Sequence, residues 1–302
     1  MEIVLVELED LNLHEEVDPG VLRRLLREIE DDGALWCPVI VDRESMVVLD
    51  GTHRVNALRN LGCKYACAYF VDYSDPEICV ERWFRGIPEH LPKEKVEEIA
   101  EGLGMTLIPL DPSKVNDVNY PVLRLRDGTS FALVPGTDSM KSYNTLCRFE
   151  QKLETTGYGI DYDNENNAEE KLTRSAVSAV LQPPALVKEQ VVSSAVRGQT
   201  LACKATRHVI PERPVGLDVP LKLLKNHEIS LEEANARLTA LIERKKTEDM
   251  PPGTLWRGRR YDERTRLFIE GSEQETGSAP GYEDSTSVEF GRSLSREGPP
   301  YG

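Results

Sequence analysis

Nowhere in its 302 residues does the chain carry Gly-x-x-x-x-Gly-Lys-Ser/Thr, which disfavours the conventional kinase folds built on that phosphate loop. No apolar run approaches the ~20 residues needed to span a bilayer. Residues 1–6 lack the basic region and long apolar core of a secretory leader, so a soluble, cytoplasmic protein is expected. Basic residues are scarce: 37 Lys and Arg stand against 52 Asp and Glu, for a formal net charge of -15. Nucleic acid, which requires clustered cations, is disfavoured as a partner. The six cysteines, Cys37, Cys63, Cys67, Cys79, Cys147 and Cys203, show no paired metal spacing. Buried reduced thiols are expected rather than a zinc site. No internal repeat is apparent.

The most organised stretch present is 47–62, which runs Val-Val-Leu-Asp-Gly-Thr-His-Arg-Val-Asn-Ala-Leu-Arg-Asn-Leu-Gly. It reads as a short buried strand, an abrupt turn at Asp50-Gly51, and a helix with Val55, Leu58 and Leu61 on one side and Gly62 at its end. The first N–H groups of a helix lack internal partners and carry the positive end of its dipole, so a glycine there lets an anion approach. His53 and Arg54, in the first turn, would add charge to the same spot. A phosphate site is one reading, and a capped turn with a surface ion pair is the other. Asp50, at the strand's carboxyl end, could hold a metal ion, orient a substrate hydroxyl or simply form the turn.

Strands and helices alternate before this stretch. A strand at 3–6 precedes a helix capped by Asp18, opened by Pro19 and closed near Gly33, and strands follow at 36–42 and 46–49. Further strands are expected at 65–71, 120–125 and 130–134, the last two joined by Asp127-Gly128 in a hairpin. Helices are expected at 93–102, 139–153, 185–194 and 231–245. Residues 158–170 read as a polar, Asn-rich connection, and 171–180 as strand or helix. From Gly271 onward, Gly, Ser, Glu and Pro dominate, and disorder is expected.

Other residues could carry chemistry. Glu15 and Glu16 follow His14 at a strand exit, where either could serve as a general base beside a phosphate site or merely form a solvated turn. Thr206-Arg207-His208 offers a guanidinium fork and a hydroxyl suited to a small carboxylate, or else the outer face of a strand. Trp83 could wall a substrate pocket or belong to the core. Residues 254–261 are basic and aromatic within an acidic chain, and are expected to fold back on the body with Trp256 packed against it rather than contact a partner.

Leu13-His14-Glu15, the run from Leu35 to Asp42, Val48-Leu49-Asp50-Gly51-Thr52-His53-Arg54 and Asp72-Tyr73-Ser74-Asp75 together resemble the ParB/sulfiredoxin superfamily. Thr206-Arg207-His208, with Pro211 and Pro214 after it, makes the free serine kinases the branch it resembles most. The likeness covers residues 3 to 225, strongly at 10–85 and 203–221. It implies phosphoryl transfer from ATP or ADP, with Mg²⁺, to L-serine. Glu15, Asp50 and His53 would be catalytic, with Glu15 as the base and Asp50 also a candidate for the metal. Gly51, Thr52, His53 and Arg54 would hold the nucleotide, while Trp83, Thr206, Arg207 and His208 would bind serine. Thr52 stands where the family's turn usually has His and where a sulfiredoxin needs Cys; a partition protein would have Gly-Glu-Arg-Arg in this turn. The rival reading is a ParB-like regulatory or DNA-binding protein without kinase activity.

The expected architecture is α/β (α+β). A ParB/sulfiredoxin-like nucleotide-binding domain would span 1–88, a second α/β domain contributing the serine pocket 89–248, and a tail 249–302. The oligomeric state is left open.

Overall fold

The computed structural model describes residues 1–135 and 142–271. Within it, Val39–Asp42 and Val47–Asp50 are almost continuously apolar because their sheet is covered on both sides. The two-residue period of a strand divides them cleanly. Val39, Val41 and Val48 enter one core with Leu25, Ile29, Val55 and Leu58, while Ile40, Val47 and Leu49 enter another with Tyr73, Val191 and Ile210. The sheet has five strands in the order Glu2–Glu7, Tyr65–Val71, Val39–Asp42, Val47–Asp50, Asn12–Leu13, mixing parallel and antiparallel pairs. The helices Pro19–Asp32 and Thr52–Asn60 cover the first face. Asp18 caps the former by accepting from the Val21 N–H at 2.8 Å, and Gly33 ends it with φ 63°.

A second sheet is antiparallel throughout, in the order Asp161–Asp163, Phe84–Ile87, Ala179–Gln182, Val122–Leu125, Ser130–Pro135, Met105–Pro109. The helices Lys93–Gly102 and Ser142–Thr155 pack on it through Val96, Ile99, Leu146 and Phe149. The hairpin anticipated at Asp127-Gly128 is present, with Gly128 at φ 89°. The expected polar connection at 158–170 instead holds the strand Asp161–Asp163 and the start of the helix Glu165–Thr173. Asn164 caps that helix by accepting from the Asn167 N–H at 2.9 Å, so part of the Asn content that suggested a loop is a helix start. Residues 171–180 contain a helix end and the start of Ala179–Gln182. The helix expected from 139 begins at Ser142, residues 139–141 lying outside the described residues.

The chain then returns to the first sheet. Leu217, Val219, Leu224, Ala234, Leu238 and Phe268 share its core. Arg207–Val209 pairs with Cys79–Glu81, and Val219–Pro220 with Ala34–Leu35. After the helix Leu231–Glu243, two residues shorter than expected, Lys245–Met250 forms a three-stranded sheet with Arg264–Glu270 and Glu212–Val215. Between these strands rises a hairpin, Thr254–Trp256 and Arg259–Tyr261. It turns on Arg257 at φ 46° and Gly258 at φ 78°, both left-handed as a two-residue turn requires. The disorder expected from about residue 271 falls outside the described residues.

All six cysteines are free; Cys63 and Cys67 are buried as expected, whereas Cys79 is exposed. Among the described residues no helix is long and apolar enough to cross a membrane.

Candidate active site

Gly51 is the pivot of the site. It joins the strand Val47–Asp50 to the helix Thr52–Asn60 at φ 107°, and a Cβ there would stand 2.8 Å from Val39 Cγ1 and 3.0 Å from the Arg54 guanidinium. Only glycine makes this corner without strain. Among the described residues no side chain caps the helix, and its first turn lines a cleft, so its leading N–H groups are available to an anion.

Asp50, one residue earlier, is ringed by cations. Arg213 Nη1 donates to Oδ2, Arg54 Nη2 lies 3.2 Å from Oδ1, and Arg259 Nη2 lies 3.8 Å from Oδ2. Burial works against the charge, but the three arginines outweigh it and hold the carboxyl far below its usual range. A carboxylate so surrounded is poorly placed to ligate a divalent cation, so the metal role expected of Asp50 does not match its setting. It organises guanidinium groups instead.

The first helical turn also differs from expectation. His53 Nε2 accepts from the Asp18 N–H at 3.0 Å, and burial, then Lys204, push its pKa down. It is a neutral imidazole, not an added charge. Arg54 donates to the carbonyls of Cys37 and Pro38 besides pairing with Asp50, which braces the entry to Val39–Asp42.

Across the cleft stands Glu15. The Leu201 N–H donates to His14 O at 2.7 Å and the Glu16 N–H donates to Leu201 O at 2.8 Å, fixing the backbone on either side. Glu16 is exposed, while Glu15 turns inward. Its Oε1 accepts from the Thr206 N–H at 2.6 Å and from Thr206 Oγ1 at 2.5 Å. His14, fully buried, has Nδ1 2.8 Å from Val48 O and Nε2 2.8 Å from Thr206 Oγ1. Thr206 has one hydroxyl proton. That proton points to Glu15, and His14 Nε2 lies 3.6 Å from Glu15 Oε1 on the other side of the hydroxyl. Burial raises the Glu15 pKa, but His14 and the two Thr206 hydrogen bonds prevail and lower it.

The remaining expected residues meet in the same cleft. His208 lies edge-on to His14, ring centroids 5.4 Å apart, with Nε2 2.7 Å from the Tyr73 hydroxyl, and among the described residues its Nδ1 has no hydrogen-bond partner. Burial, helped by His14, pushes its pKa down to about 3. Arg207 is committed to Glu81 and, at 2.8 Å, to Asp262. Trp83 faces the Lys204 ammonium at 4.9 Å and the Arg207 guanidinium at 5.7 Å.

Sequence reasoning missed Lys204, Arg213 and Arg259. Lys204 sits at φ 62° with its ammonium between Trp83 and Tyr162, and burial lowers its pKa. Its nearness to Thr206 in the chain was the available signal. Arg213 donates to Asp50 and to His208 O, and lies 3.3 Å from Glu263. Nothing in Glu212-Arg213-Pro214 announces that.

A second, largely apolar chamber adjoins the first. Val21, Leu25, Leu35 and Trp36 line one side, Trp256 and Tyr261 another, and the two chambers share Asp50, Gly51, His53, Arg213 and Arg259. A charged cleft bearing a carboxylate base therefore opens, at an uncapped helix N-terminus, into an apolar pocket.

No family model matches the chain. Its curated relatives include an ADP-dependent L-serine kinase of Thermococcus kodakarensis, 27% identical over 74% of this chain and 93% of its own, and an ATP-dependent L-serine kinase of Staphylothermus marinus, 28% identical over 74% and 92%. A ParB-like protein of Sulfolobus acidocaldarius is 34% identical over 26% of this chain and 40% of its own. Among solved structures, a free serine kinase in complex with AMP superimposes with a TM-score of 0.63 at 25% identity, covering 74% of this chain and 93% of that one. The uncapped turn, the inward carboxylate and these likenesses agree: over about three quarters of its length the chain is similar to free L-serine kinases, and over a shorter stretch to a ParB-like protein.

Proposed function

We propose that this protein transfers the terminal phosphoryl group of ATP or ADP to the hydroxyl of free L-serine, giving O-phospho-L-serine. The observation that carries this reading is the placement of Glu15 in one cleft with the Gly51 turn, next to an apolar chamber suited to a nucleobase. The base and ribose would occupy the apolar chamber, between Leu25 and Trp256. The phosphates would lie at the shared junction against the N–H groups of residues 51–53. L-serine would enter the charged cleft beside Trp83, Thr206 and His208, with Lys204 near its carboxylate.

Glu15, kept ionised by His14 and Thr206, takes the proton from the serine hydroxyl as its oxygen attacks the terminal phosphorus. The bond to the bridging oxygen breaks, and its electron pair leaves with the nucleotide. The helix N-terminus and nearby guanidinium groups stabilise the charge spread over the phosphoryl oxygens.

The protein's own carboxylates do not fit a resident Mg²⁺. Both oxygens of Asp50 face guanidinium groups, and no cluster of three or more His, Cys, Asp or Glu among the described residues is placed to hold a metal ion. Mg²⁺ would instead arrive chelated by the nucleotide phosphates and water, as part of the substrate. We also propose a ParB-like unit within residues 1–88 that is completed by the returning chain after residue 217, with the antiparallel sheet as the second unit. A cytoplasmic reaction, drawing on free serine and nucleotide, is part of the same proposal.

The test is incubation of the purified protein with ATP, ADP or CTP and a panel of amino acids, with phosphorylated products read by mass. Phosphoserine from L-serine alone is expected, and a water-driven hydrolysis indifferent to amino acid would contradict it.

A further inference from the structure

The hairpin Thr254–Trp256 and Arg259–Tyr261 lies beyond residue 225, where the family resemblance ends, yet it is tied to the site on several sides. Arg257 stacks on Trp36 at 4.0 Å and pairs with Asp32 at 3.2 Å. Asp262 holds Arg207, Glu263 lies against Arg213, and Tyr261 is buried. These contacts carry Arg259 to the junction of the two chambers.

The guanidinium groups at that junction differ in what they already hold. Arg213 is spent on Asp50, His208 O and Glu263, and Arg54 on Asp50 and two carbonyls. Among the described residues the Arg259 side chain makes no hydrogen bond. Its closest carboxylate oxygen, on Asp50, is 3.8 Å away, its guanidinium rests over its neighbour Tyr261 at 4.8 Å, and its side chain keeps 22% of its surface exposed. Asp50 is thus close enough to orient Arg259 but leaves its N–H groups unspent, at a point where an in-line transfer between chambers would place its charge.

We propose that Arg259 donates to the terminal phosphoryl group of the nucleotide and stabilises it as it passes to the acceptor, so that the C-terminal hairpin completes the active site. This rests on the kinase reading above. As the new bond from the serine oxygen forms and the bridging bond breaks, with the proton on Glu15 and the electron pair on the departing nucleotide, a guanidinium fork spans two phosphoryl oxygens.

Arg259→Gln and Arg259→Lys in the full chain test the proposal. Phosphoserine formation by Arg259→Gln should fall roughly 100- to 1000-fold in kcat, with KM for L-serine within about threefold of wild type and an unchanged thermal midpoint. Arg259→Lys, which keeps the charge without the fork, should recover part of the loss. Turnover of Arg259→Gln within about threefold of wild type overturns the proposal. A wild-type protein that makes no phosphoserine defeats the kinase reading instead, and calorimetry then decides on Arg259. A selective loss by Arg259→Gln of affinity for ATP or ADP over adenosine supports the phosphoryl contact, and equal affinities overturn it.

Discussion

Thr206 gives two hydrogen bonds to a single oxygen of Glu15, from its N–H at 2.6 Å and its hydroxyl at 2.5 Å, across 191 residues of chain. The contact ties the returning chain to the carboxylate and lowers its pKa. In Thr206→Val the backbone bond remains and the hydroxyl bond is lost, so the Glu15 pKa should rise. A base acts when ionised, and activity fails as pH falls through its pKa. The acid limb of kcat/KM should therefore move to higher pH in Thr206→Val, and the loss of a hydrogen bond that positions the base should separately cost roughly 10-fold at neutral pH. Thr206→Ser should restore both. An acid limb at the wild-type position in the valine variant would detach Thr206 from the base.

Asp50 is expected to matter through charge balance. Replacing it with Asn leaves Arg54, Arg213 and Arg259 without their shared counter-charge, and removing one partner of a buried ion pair costs about 3–5 kcal/mol. Because the folded-state pKa of Asp50 is depressed, its contribution is present above the ordinary carboxyl pKa and is lost as pH falls through the folded value. Urea unfolding of Asp50→Asn should show lower stability at neutral pH and a shallower decline into acid. Equal stability at neutral pH would remove Asp50 from this role.

Gly51→Ala probes the corner. A Cβ would meet Val39 Cγ1 at 2.8 Å in a backbone conformation that L-residues avoid. A cost of about 1–3 kcal/mol is expected, together with a raised KM for nucleotide but not for L-serine. Thermal melting and the two KM values check this, and a rise in the serine KM alone would speak against a phosphate site at the turn.

Trp83→Ala separates the chambers in the other direction. Loss of the ring beside Lys204 and Arg207 should raise KM for L-serine about 10-fold, a difference near 1.4 kcal/mol, while KM for nucleotide stays within about twofold. The reverse pattern would move Trp83 to the donor side.

How much of this was legible in the sequence depended on whether a role is local. Asp18-Pro19 and Gly33 bound a helix in the chain as in the fold, and Gly51 announced its corner, because capping and left-handed φ involve only near neighbours. Asn164 carried the same kind of signal but was hidden in a run of polar residues. The charge on His53 was misjudged because Asp18 N–H and Lys204, which make it a neutral acceptor, come from elsewhere. The arginines around Asp50 lie 4, 163 and 209 positions along, so only Arg54 was visible locally. Resemblance supplied the link between Glu15 and Thr206. It could not supply Arg259, which lies outside the stretch that the resemblance covers.

The most direct test of the account is Glu15→Gln assayed for phosphoserine with ATP and with ADP. Glutamine keeps an oxygen for the Thr206 N–H but cannot take the serine proton. The account predicts a fall of roughly 100- to 10,000-fold in kcat, with nucleotide affinity and thermal midpoint close to wild type. Turnover near the wild-type rate would contradict it.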